Sequence, residues 1–137
     1  MSDESAVPHP TLVAMILCQS VQDLATGSIN LLELYHSVNA SSYPIELDVR
    51  LYLHLEDAVR GTKLALDFCN ASTLEPIGDM LESVVGDTEP RGSWITVLDL
   101  NLEIAAPGEY VVRLMQGEKI IGKLPVPAYQ TEPQGQE

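Results

Sequence analysis

The stretch from Ile45 to Leu55 admits one backbone conformation. Its odd positions are Ile45, Leu47, Val49, Leu51, Leu53 and Leu55, and its even positions are Glu46, Asp48, Arg50, Tyr52 and His54. Successive side chains of a β-strand point to opposite faces, so this alternation makes one apolar face and one wet face. A helix would spread the same leucines around its circumference. Residues 94–104 repeat the pattern, with Leu98, Leu100, Leu102 and Ile104 inward and Asp99, Asn101 and Glu103 outward. Residues 62–69 carry it more weakly, with Leu64, Leu66 and Phe68 opposite Lys63, Ala65 and Asp67.

Turn signals separate further strands. Residues 11–19 and 28–38 flank Ala25-Thr26-Gly27-Ser28, and the nearly all-apolar Thr11–Cys18 is expected to be buried on both faces. Pro107-Gly108 marks a turn, after which Tyr110–Met115 and Ile120–Val126 form a hairpin around Gln116-Gly117-Glu118-Lys119. Pro125 and Pro127 suit the end of an edge strand. Residues 73–93 read two ways. Asp79 and Glu82 have capping-box spacing, which would open a short helix, whereas Leu81, Ser83 and Val85 alternate as in a strand, the reading that Ser83-Val84-Val85 favours. No long amphipathic helix alternates with the strands, which argues against a parallel α/β sheet. The expected fold is all-β, a two-sheet antiparallel β-sandwich, immunoglobulin-like or C2-like, of seven or eight strands, with one short helix in 73–93 as the open alternative. A small closed barrel is the second architecture. Residues 1–10 and 130–137 are expected to be flexible tails around a single domain at 11–129.

With 137 residues and 45% hydrophobic side chains, the chain can build one core without metals or disulfides. Seven basic residues face twenty acidic ones, a net charge of −13. Nucleic-acid and anionic-membrane binding rest on Lys and Arg, and no basic run or stripe exists, so both partners are excluded. The acidic start Met1-Ser2-Asp3-Glu4-Ser5 is unlike a secretory leader, and the longest apolar run, Leu12–Leu17, is too short for a membrane helix. The expected location is cytoplasmic, with Cys18 and Cys69 as reduced core thiols, although two such strands could also bring them together. Trp94 follows both cysteines and Asp67 stands two before Cys69, so the Cys-Trp-Cys signature of antibody domains is absent.

No catalytic motif is present: no Gly-x-Ser-x-Gly, no phosphate-binding glycine loop, no Cys-x-x-Cys and no His pair at metal spacing. Strand parity does gather His54 with Glu46, Asp48 and Glu56 on one face, the one cluster an enzyme could use. Calcium binding would draw on acidic loops, with Glu56, Asp57, Asp87 and Glu89 in loops 56–62 and 86–93 as candidate ligands. Trp94, Tyr52 and His54 are the candidate interaction residues. A core role is the plainer reading of Trp94, and an interface anchor the sharper one.

The strand ending Met15-Ile16-Leu17-Cys18, together with Pro107-Gly108-Glu109-Tyr110-Val111-Val112-Arg113-Leu114, resembles a family of small bacterial β-sandwich proteins known only as a domain of unknown function. The likeness spans residues 11–126. It implies a sandwich in a bacterial cytosol and brings no catalytic residues. The functional expectation is a non-enzymatic module that binds a protein partner, of unstated identity, or a second copy of itself, and needs no cofactor. The alternative is a small-molecule or Ca²⁺ site at loops 56–62 and 86–93.

Overall fold

In the computed structural model, residues 9–23, 29–86 and 92–132 are described. They form nine strands: β1 (Thr11–Asp23), β2 (Ile29–Leu34), β3 (Val38–Ala40), β4 (Ile45–Glu56), β5 (Lys63–Asn70), β6 (Leu81–Val84), β7 (Trp94–Ile104), β8 (Gly108–Gln116) and β9 (Lys119–Gln130). One sheet has the order β2-β1-β4-β7, and the other β3-β9-β8-β5-β6. Their inner faces pack on each other, the arrangement expected of a β-sandwich. No helix long and apolar enough to cross a membrane occurs among the described residues.

The alternation in β4 sets the register. Ile45 pairs with Ile104 and Leu55 with Trp94, with unbroken pairing between. On the other side of β4, Met15 pairs with Leu53 and Leu17 with Leu51. Leu51, Leu53 and Leu55 are wholly buried, and slipping either neighbour by one residue would turn that neighbour's own inward residues to water. Across the core stand Leu64, Leu66 and Phe68 of β5 with Val112 and Leu114 of β8. Gly122 of β9 lets the sheets approach closely, since a Cβ there would collide with the Leu12 side chain.

Several expectations are corrected. The 28–38 span is two strands. After β2 the chain bends at 35–37, where Tyr35 N still donates to Leu17 O (2.9 Å), and then crosses sheets to bury Val38. That raises the count from seven or eight to nine. His36 lies exposed at this bend, not inside a strand. β3 pairs with β9 in parallel, so the sandwich is not wholly antiparallel. This pairing begins at Ala128, just past Pro125 and Pro127, whose nitrogens carry no donor. In 73–93 the favoured strand forms, as β6, and the alternative short helix does not: Leu81 and Ser83 turn inward and Glu82 and Val84 outward. Pairing with β5 satisfies the backbone groups that a cap would have served.

β1 is not buried on both faces. On its outward side Cys18 is buried, but Val13, at a bulge between Leu12 and Ala14, is 52% exposed. Residues 107–108 do not join two paired strands: β7 and β8 belong to different sheets. The corner between them is tied by Tyr110, whose hydroxyl donates to Ala106 O at 2.6 Å. Such a tyrosine corner is a recurring device of immunoglobulin-like sandwiches.

Asp67 was expected to face water, yet it is buried on the outward face of β5. Its carboxylate accepts two bonds from Arg113 of β8, Nε at 3.0 Å and Nη2 at 2.6 Å. The bond to Asp67 pushes the Arg113 pKa further up, against the effect of burial. Removing one member of such a pair strands a buried charge and costs about 3–5 kcal/mol, whereas replacing both can be nearly neutral. Arg113→Leu should therefore lower the urea midpoint sharply, and Asp67→Leu combined with it should restore most of the loss. A single variant as stable as the parent would contradict this.

Candidate functional site

A sandwich of two open sheets has four edges, and unpaired backbone groups on an edge invite another strand. Three of the four are blunted here. β3 is three residues long. β6 is four residues long and follows Pro76 and Gly78, the latter in a left-handed conformation with φ 76°. β2 kinks at Glu33, a non-glycine residue with φ 58°. The fourth edge belongs to β7, eleven residues with no proline, glycine, lysine or positive φ. Among the described residues no strand pairs with its outer side.

The sandwich is also open along this flank. Leu98 and Leu100 face inward but are only half-buried, while their partners on β4, Leu51 and Val49, are 0% and 3% exposed. The difference arises because β7 has no described neighbour to close the gap towards β6. Two clefts result. One, of about 370 Å³, lies between β7 and the 77–81 segment, with Leu100, Leu102, Ile77, Met80 and Leu81 in its lining. The other, of about 680 Å³, sits at the end of the sandwich where β4 begins and β7 ends, around Ile45, Pro76, Ile77, Ile104 and Tyr110. Ile77 and Glu103 line both, so the two form one groove beside the edge.

The outward side chains beside this groove are polar and acidic. Arg50 holds Asp99 at 3.0 Å, and Asn101 donates to Asp48 at 2.7 Å. Glu103 pairs in register with Glu46, one carboxylate opposite another. Neither has an ion-pair partner among the described residues, and no Lys or Arg lines either cleft.

Trp94 is 9% exposed on the inner face, opposite Leu55, and packs in the core. Tyr52 and His54 are half-buried on the outward face of β4. His54 Nε2 lies 2.9 Å from Glu56 Oε2 and 3.2 Å from Ser93 Oγ. A Ser-His-acid relay needs the two ring nitrogens to serve different partners, and here one nitrogen faces both. Of the three carboxylates expected around His54, Glu56 reaches it, while Asp48 is engaged by Asn101 and Glu46 stands opposite Glu103.

The 56–62 loop meets Val85 and Gly92, which flank the undescribed residues 87–91, at the end opposite the larger cleft. Ala58 N donates to Gly92 O (2.9 Å), Gly61 N to Val85 O (2.8 Å) and Val85 N to Thr62 O (2.9 Å). Gly92, with φ 81°, lies against the Asp57–Ala58 backbone, where a Cβ would be crowded. Asp87 and Glu89 lie outside the described residues, and among those described no three His, Cys, Asp or Glu side chains are grouped to hold a metal.

The β7 edge was missed from sequence because alternation marks a strand without revealing its neighbours. Lack of Pro, Gly and Lys across 94–104 was the available signal.

No family model matches the chain, and no curated protein matches it. Among solved structures it is similar to an immunoglobulin-like protein from Pseudomonas aeruginosa, at 11% identity and a TM-score of 0.45, over 89% of this chain and 98% of that one.

The two cysteines are free and buried, on the outward faces of different sheets, in register with Arg50 and with Val111. Burial pushes both thiols up, partly offset by Arg50 for Cys18 and by Arg113 and Lys123 for Cys69. A raised pKa depletes the reactive thiolate at neutral and mildly alkaline pH. A thiol reagent should label neither cysteine in the native protein and both in denaturant. Rapid labelling of the folded chain would contradict that.

Proposed function

We propose that this protein is a non-enzymatic binding module that recruits a polypeptide by strand addition at β7. The observation that carries the reading is the contrast among edges: three are short, broken or kinked, and the fourth is long, regular and bordered by an open apolar groove. In strand addition, the main chain of the edge supplies hydrogen bonds and the alternate side-chain pockets supply selectivity. β7 offers both. Its unpaired backbone would bond the incoming strand, and the half-buried Leu98 and Leu100 would be covered by the newcomer's inward side chains. Burying apolar area here gains about 25 cal/mol per Å² before the costs of ordering.

A photoreactive side chain tests the placement. Introduced in place of Asn101 on β7, it should give a dominant covalent adduct in native lysate. The same group in place of Glu82 on β6 should not. Equal adducts at the two edges, adducts at β6 alone, or none at either would contradict the proposal.

A further inference from the structure

We infer that the strand accepted by β7 is a cationic one, an extended segment with Lys or Arg at alternate positions and apolar residues between them. The inference rests on the strand-addition reading and adds the chemistry of the occupant.

An added strand continues the sheet, so its side chains alternate between the outward face and the groove, in step with β7. Residues beside Leu98, Leu100 and Leu102 would enter the groove, whose floor is Ile77, Met80 and Leu81. Apolar side chains belong there. Met80 is 51% exposed and Leu81 half-buried, so both gain cover.

Residues beside Asp99, Asn101 and Glu103 would point outward. They would meet Asp99, already shared with Arg50, and then the opposed pair Glu103 and Glu46. Two carboxylates facing each other across a ladder repel, and a basic side chain on a strand beside β7 would pair with Glu103 directly and so ease its repulsion from Glu46. Glu75 stands on the far side of the larger cleft, so a long basic side chain at the β7 end meets acid from either wall. Among the described residues no Lys or Arg lines the groove, and the one cation beside it, Arg50, is held at Asp99 and leaves Glu103 and Glu46 without an ion pair.

The same charges disfavour a second copy as the occupant. It would bring another net charge of −13, and a register centred on Asn101 would set Asp99 against Glu103. Acidic residues on an edge thus discourage self-pairing while leaving the edge open to a basic strand.

The length is also bounded. Residues 98–104 border the groove, and a partner of matching length spans roughly 23 Å at about 3.3 Å per residue. A capped peptide of about seven residues alternating Lys and Val is therefore the probe. Three further peptides serve as comparisons: one alternating Ser and Val, one alternating Glu and Val, and one with the lysines and valines in separate blocks. Binding to the full chain is read by NMR titration of backbone amides.

The Lys–Val peptide should shift resonances of β7 and residues 77–81, and should bind at least about tenfold more tightly than the Ser–Val peptide at about 50 mM salt, with that preference shrinking at about 0.5 M salt. The Glu–Val peptide should not bind. The blocked peptide should bind weakly, because it cannot match both faces of the pleat. Glu46→Gln combined with Glu103→Gln removes a repulsive pair, so it should leave the fold intact while reducing the preference for lysine. Equal binding of the Ser–Val and Lys–Val peptides at β7 would overturn the cationic assignment and leave strand addition standing. Equal binding of the blocked peptide would reduce the effect to unspecific attraction and overturn it. No binding by any of the peptides would overturn both readings, as would a dimer of the free chain paired through β7.

Discussion

The pairing of β4 with β7, from Ile45↔Ile104 to Leu55↔Trp94, is the constraint on which the rest of the structure depends. It aligns two alternating sequences so that every inward leucine of one lies beside an inward residue of the other. β4 is closed on its far side by β1, and its leucines are sealed against β5 and β8. Truncating one such buried leucine costs about 2–5 kcal/mol. The row Leu51, Leu53 and Leu55 therefore holds a large share of the marginal stability of a domain this size. The same pairing leaves β7 exposed on its other side. The core-forming register and the candidate binding edge are two consequences of one ladder.

Polar devices then fix what the apolar pattern leaves open. The Tyr110 hydroxyl ties the crossing from one sheet to the other, and the Asp67–Arg113 pair aligns β5 with β8 on the outward face. On the first sheet, Arg50–Asp99 and Asp48–Asn101 do the same for β4 and β7 in more exposed surroundings, where such contacts contribute little energy. Glu46 opposite Glu103 is the exception, a repulsive contact at the end of an otherwise favourable ladder. Features that weaken the isolated fold and sit beside an open groove are those a partner can relieve.

Much of the fold was legible because alternation has a single structural meaning. β4, β7 and β5 follow directly from their leucines, and the β8–β9 hairpin from Gly117. What was not legible depended on distant partners. Asp67 reads as a wet position until Arg113, 46 residues on, is brought beside it. Residues 28–38 read as one strand because nothing local says that Val38 will pair with Ala128. Pro107-Gly108-Glu109-Tyr110 was visible as a turn, but its role as an inter-sheet corner required knowing that β7 and β8 part company. Trp94 drew attention by its rarity, and burial beside Leu55 explains it. The candidate site was the least legible part, since an edge is defined by the absence of a neighbour.

The central claim is that β7 carries a free edge in the isolated protein. Residue-resolved amide hydrogen exchange tests it most directly. An antiparallel edge strand directs alternate N–H groups at its one partner and the others outward. The account predicts slow exchange at alternate β7 amides and fast exchange at those between them, with protection throughout β4. Uniform protection along β7 would mean that the edge is already covered, and would contradict the account.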